Sequence, residues 1–187
     1  LDYVFEDINY DQITKVSAVN NTQHGEIWWF YPSGSSIEND RYISLDYKEG
    51  VWSFGEIDRT ACVDRGVFST PIRADSSGNL YNHETGSVHG TLKPYAESGP
   101  ISLGNGDGVM KVSQLIPDEK TQGEVNVTFK TRFHPNDTER TYGPYSTGNP
   151  TSLRFTGRQI RLRVEGTGTD DWRSGVMRIE ARAGGKR

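Results

Sequence analysis

Four histidines, one cysteine and a C-terminal crowd of arginines are the side chains here with chemistry to offer, and their spacing decides what that chemistry is. His24, His83, His89 and His134 include no pair at the helical i, i+4 spacing of a zinc site, so only a turn bringing His83 to His89 would make a ligand pair. Cys62 stands alone, which excludes an intrachain disulfide and a Cys-rich zinc site. Its apolar setting, Thr60-Ala61-Cys62-Val63-Asp64, reads as a buried and inert thiol. No Gly-x-Ser-x-Gly elbow occurs, and Gly34-Ser35-Ser36 falls in a turn. Asn105-Gly106-Asp107-Gly108 is followed by a strand rather than by Lys and a helix, so it reads as a tight turn and not as a phosphate cradle. Asp118-Glu119 and Asp170-Asp171 are neighbouring carboxylates in loops, which is ordinary solvated charge and not the facing pair that glycoside hydrolysis needs. The expectation is no catalytic residue, no metal and no cofactor.

The arginines carry more information. Arg154, Arg158, Arg161, Arg163, Arg173, Arg178, Arg182, Lys186 and Arg187 lie in residues 151–187 against four acids, Glu165, Asp170, Asp171 and Glu180. The charge of the whole chain is −4, but residues 1–100 hold 7 Lys/Arg against 15 Asp/Glu, while residues 101–187 hold 14 against 10. Arginine is favoured at interfaces, and the first half is acidic, so Arg158, Arg161, Arg163, Arg173, Arg178 and Arg182 are expected to form a docking surface for an acidic partner rather than a DNA reader. A second candidate is aromatic. Trp28, Trp29, Tyr31 and Trp52 would make a ligand platform for sugar stacking if exposed, and inter-sheet core if not.

The elements that must position these residues are strands. Gly157 to Glu165 alternates Ile160, Leu162 and Val164 against Arg161, Arg163 and Glu165, and Met177 to Arg182 alternates in the same way. Joined by the glycine-rich Gly166 to Asp171, the two segments are expected to pair antiparallel, with an arginine-rich outer face. Upstream, residues 1–14 give a short helix or an irregular lead-in. Strands follow over 15–19, 26–31, 41–47 and 50–57, then over 66–72 and 78–84, with turn residues between them. Four strands in some 45 residues have the size of one β-propeller blade, which cannot bury both its faces without neighbours. From Tyr95 onward, strands near 109–118, 124–133, 141–145 and 153–155 join the two already described. The fold class expected is all-β: partial propeller blades over residues 1–95, followed by an antiparallel β-sandwich over 96–187. No stretch approaches the roughly 20 apolar residues of a membrane span.

Trp28-Trp29-Phe30-Tyr31-Pro32, Glu38-Asn39-Asp40-Arg41-Tyr42, Tyr47-Lys48-Glu49-Gly50-Val51-Trp52, Arg59-Thr60-Ala61, Glu97-Ser98-Gly99-Pro100, Gly143-Pro144-Tyr145, Gly157-Arg158-Gln159 and Trp172-Arg173-Ser174-Gly175 are short, turn-borne motifs. With these in view, residues 24–187 resemble the C-terminal part of propeller-containing hub, nozzle or packaged-DNA-stabilising proteins at the head-tail junction of short-tailed double-stranded DNA bacteriophages. The resemblance implies a non-enzymatic virion component, assembled in the host cytoplasm with copies of itself and other tail or connector proteins around the DNA channel. It implies non-specific contact with packaged DNA as a further role, and no membrane. The family's proteins are longer, with more blades upstream, and no catalytic residue carries over.

Overall fold

The computed structural model describes residues 2–86, 93–102, 107–118, 121, 123–168 and 171–185. Strands dominate, all of them antiparallel, and the chain divides into two compact units, Leu1–Gly86 and Ser87–Arg187. The division falls before Tyr95, which pairs inside the second unit.

The first unit opens with helix α1 (Asp2–Asp7), whose one buried side chain is Val4, followed by a 3-10 turn (Tyr10–Lys15). Asn9 separates them because its side-chain oxygen accepts from the Asp11 amide at 3.0 Å, an N-cap that restarts the helical turn. Then β1 (Ser17–Asn21), β2 (Glu26–Tyr31), β3 (Arg41–Asp46) and β4 (Val51–Glu56) form a four-stranded meander in chain order. The β3-β4 turn is set by Asp46, whose carboxylate accepts from the Lys48 and Glu49 amides at 2.8 and 3.1 Å, and by Gly50 at φ 69°. A second meander, β5 (Ala61–Val63), β6 (Ile72–Ala74) and β7 (Leu80–Asn82), turns at Asp75 and Gly78. The strand expected over 66–72 is displaced. Gly66 to Thr70 are bends, and the pairing runs instead through Ala61–Val63, which holds Cys62 opposite Arg73.

The second unit contains β8 (Tyr95–Glu97), β9 (Ile101–Ser102), β10 (Met110–Ile116), β11 (Val125–Arg132), β12 (Arg140–Ser146), β13 (Thr151–Gly157), β14 (Gln159–Gly166) and β15 (Arg178–Ala183). Two sheets result, β13-β10-β15 and β12-β11-β14-β8, with β9 beside β14. Their inner faces share one hydrophobic cluster. Met110, Val112, Leu115, Leu153 and Phe155 come from the first sheet, and Val127, Phe129 and Ile160 from the second. A register shift between Val112 and Gln114 explains how Val112 and Leu115, three residues apart, both reach the core. The chain crosses between sheets at Gly157-Arg158-Gln159, where Gly157 is required because a Cβ there would lie 2.9 Å from that of Thr131.

The antiparallel pair expected between the two C-terminal alternating segments does not form. β14 lies between β11 and β8, whereas β15 pairs with β10 in the other sheet. The reason is the eight-residue alternation of β11, which matches β14 along its whole length, from Val125 opposite Gly166 to Arg132 opposite Gln159. Period-two alternation fixes which face is buried, and is silent about which strand lies alongside.

Candidate functional site

The six arginines nominated from sequence separate into different settings. Arg161 and Arg163 project from the outer face of β14, where the register places Lys130 of β11 opposite Arg161 and Glu97 of β8 opposite Arg163. Glu97 is the centre of this group. It ion-pairs with Arg161, with Lys130 at 2.9 Å and with Arg163 at 3.9 Å. Arg161 also reaches Glu139 at 3.2 Å and Arg163 reaches Glu165 at 3.0 Å, while the Arg163 guanidinium sits 3.7 Å from the centroid of the Tyr95 ring. Three cations are thus balanced by three carboxylates. Arg132 of β11 lies on the same face and donates to Gln159 rather than to a carboxylate, so the face is close to neutral, and Arg161 and Arg163 hold β8 to the sheet.

Burial pushes the Glu97 carboxyl up, but Lys130 and then Arg161 and Arg163 outweigh that, and the group titrates below the ordinary glutamate value of 4.5. A carboxylate whose folded pKa is depressed contributes stability above its unfolded pKa and loses it as pH falls through the folded value. Glu97→Gln is therefore expected to destabilise the second unit by about 1–3 kcal/mol at neutral pH, the range for a lost charged hydrogen-bonding group. The deficit should shrink below pH 4.5, as the wild-type carboxyl itself becomes neutral. Thermal melts of both proteins at neutral and acid pH check it, and an equal deficit at both would refute the assignment.

Arg158 occupies the corner between the two sheets, half-buried, with its Nε buried and lacking a hydrogen-bond partner. Arg173 is exposed in the link before β15. Arg178 and Arg182 stand on the outer face of β15, together with Lys111 of β10 and Arg154 of β13, all exposed. Lys111 lies directly opposite Arg182 on one side and Thr156 on the other. The carboxylate in this face is Glu180, which pairs with Arg182 at 2.8 Å. Among the described residues, Lys111, Arg154 and Arg178 make no ion pair. Among the described residues, β13-β10-β15 thus gathers on one face three exposed cations without a carboxylate partner, whereas Arg140 and Arg173 are exposed singly elsewhere in the unit. Sequence nominated Arg178 and Arg182 and missed Lys111, whose alternation with Met110 and Val112 was the available signal. Lys186 and Arg187 lie outside the described residues.

The four aromatic residues also separate. Cross-strand pairing puts Trp29 with Ile43 and Phe54, and Ile27 with Leu45 and Trp52, on one face of the four-stranded sheet. Trp29 and Trp52 meet there at 5.9 Å between centroids, with Trp52 still 48% exposed. Tyr31 is on that face but 2% exposed; burial and then the charge of Asp7 push its phenol up to about 12. Trp28 points to the opposite face, where it stacks on Tyr42 at 4.5 Å. A platform of all four rings does not form; the Trp29–Trp52 pair is what remains of it.

That opposite face holds Arg73 of β6. Its guanidinium lies 4.3 Å from the centroid of Trp28 and 5.2 Å from that of Phe30. The residue is 1% exposed, and none of its three guanidinium nitrogens has a hydrogen-bond partner. Burial lowers its pKa from the usual value. Nearby, Arg59 donates from Nε to Nε2 of His83 at 2.8 Å, and burial together with Arg73 and Arg59 brings that imidazole down to about 4. His83 is thus neutral and its Nε2 is occupied. His89, its suggested partner, lies outside the described residues, as do Asn105, Gly106, Glu119 and Asp170. Cys62 is half-buried with its thiol pushed up by burial. Among the described residues, no three His, Cys, Asp or Glu side chains are grouped to hold a metal ion.

The class that this geometry defines is an all-β chain of antiparallel sheets in two units, with charged and aromatic surfaces as its chemistry. No family model matches the chain, and no curated protein matches it.

Proposed function

We propose that this chain is a non-enzymatic structural subunit of a virion, a hub, nozzle or adaptor component of a short-tailed phage tail that assembles with its own copies and with other tail or connector proteins around the DNA channel. On this reading β1–β4 and β5–β7 are parts of successive propeller blades, and the second unit is a β-sandwich. The supporting observation is the apolar face of the four-stranded sheet. Ile27, Trp29, Ile43, Leu45, Trp52 and Phe54 line it, with Trp52 and Phe54 about half exposed at 48% and 49%. The other face of the same sheet is covered by Arg73 and its strand. Helix α1 covers one end of this face, with the Tyr3 ring 4.6 Å from that of Phe54 and Tyr31 buried, and leaves Trp52 half exposed at the other. A blade so incompletely covered is stabilised in a larger assembly, where another copy supplies the rest of the covering.

The test is self-association. The purified chain is expected to run larger than a monomer in analytical ultracentrifugation. Trp52→Glu should shift it towards monomer with an unchanged melting temperature, because the ring is half exposed. A wild-type monomer at all concentrations sinks the reading. The Trp29–Trp52 pair favours a second one, a carbohydrate- or receptor-binding module, and monomeric protein that binds glycans through Trp52 would establish that instead.

A further inference from the structure

The outer face of β13-β10-β15 carries an arrangement that costs stability. Lys111 and Arg182 are direct cross-strand neighbours, and like charges so placed repel. Arg178 and Arg154 add two more exposed cations, and the Glu180 carboxylate engages Arg182. The neutral side chains among them, Ser113, Ser152 and Thr156, are short, polar and exposed. Gln114 and Ile116, half-buried, lie opposite Glu180 and Arg178, so the apolar part of the face is Ile116 at its end and the rest offers a field of positive charge. An isolated sheet gains nothing from such a field; an anionic surface laid over it converts the repulsion into attraction.

We infer that this face, centred on the opposed pair Lys111 and Arg182 with Arg154 and Arg178 beside them, docks onto the acidic first unit of a second copy of this chain. The inference deepens the assembly reading above and rests on it. The complement is written in the same chain: residues 1–86 hold 6 Lys/Arg against 14 Asp/Glu, and residues 87–187 hold 15 against 11. Nucleic acid is the poorer match, since the chain as a whole carries −4 and its acidic half would be repelled by phosphate. Among the described residues, the face presents no aromatic ring on which a base could stack. Because the two contacting surfaces differ, the contact is head-to-tail, and repeating it closes a ring or extends a filament rather than making a two-fold dimer.

The experiment is sedimentation of the full chain at low and high salt, with the double variant Arg178→Glu/Arg182→Glu and with Trp52→Glu. Exposed charges are screened within about 10 Å at 0.1 M salt, so association of the wild type should weaken as salt rises. The charge-reversed variant should associate about tenfold more weakly at low salt and lose its salt dependence, with its melting temperature kept. If that variant associates like the wild type while Trp52→Glu does not, the basic-face inference is overturned and the assembly reading stands. If the wild type is monomeric throughout, the assembly reading itself fails. If the wild type binds random duplex DNA, the variant does not, and self-association is unaltered between them, the face belongs to nucleic acid and the inference is overturned.

Discussion

Arg73→Ala is expected to destabilise the first unit by about 2–4 kcal/mol, whereas Arg73→Met should cost less than about 1 kcal/mol or even stabilise it. The two substitutions separate packing from charge. Alanine removes the stem and guanidinium that fill the space against Trp28 and Phe30, leaving a hole in the most buried part of the unit. Methionine keeps most of that volume and its contact with both rings. It also removes a cation whose three nitrogens are buried without a hydrogen-bond partner. The cation–π contacts offset part of that desolvation, by about 2 kcal/mol when the cation is dry. Urea titrations following tryptophan fluorescence read both variants directly, since Trp28 is the ring in contact. Equal losses for alanine and methionine would mean that the charge itself holds the two sheets together.

Phe129→Ala should be the most damaging single change in the second unit, at about 3–5 kcal/mol. Phe129 is fully buried, with its ring 5.0 Å from that of Phe155 and 6.2 Å from that of Tyr145. Phe155 belongs to β13 and Phe129 to β11, so this contact ties one sheet to the other. Calorimetry should show the transition of residues 87–187 moving down by about 10 °C or more. The transition of residues 1–86 should stay in place, because the substituted side chain packs within the second unit. A loss below about 1 kcal/mol would mean that the core collapses readily around the gap.

Much of this architecture is legible in the alternation of hydrophobic residues. β2, β3 and β4 lie where Trp, Tyr, Ile and Leu recur between turn residues, and β11 and β14 where alternation runs for eight positions. The short strands are not legible, because two or three residues, as in β5, β8 and β9, cannot establish a period. This matters for the arginines. Glu97 sits on β8, and without that strand the carboxylate that neutralises Arg161 and Arg163 cannot be placed beside them. The basic face expected across both C-terminal strands is thus divided, with Arg161 and Arg163 engaged on β14 and Arg178 and Arg182 on the outer face of β15. The separation of Trp28 from Trp29 was available from alternation alone, since adjacent residues in a strand point opposite ways. Arg73 carried no such signal: between Ile72 and Ala74 it reads as an outward charge, and only the pairing of β6 turns it inward.

One consequence of the four-stranded meander concerns how the protein must be made. β4 ends the sheet, so among the described residues no strand lies beside its outer backbone groups, and Val51, Trp52, Ser53 and Phe54 are all exposed in succession. A short apolar segment with strong strand propensity and an open edge is a template on which further chains can stack. Newly synthesised chains therefore race between completing their own fold and aggregating through this edge. Raising the expression level should therefore increase the insoluble fraction more than lowering the temperature reduces it, because it is the open edge, and not slow folding, that holds the hazard.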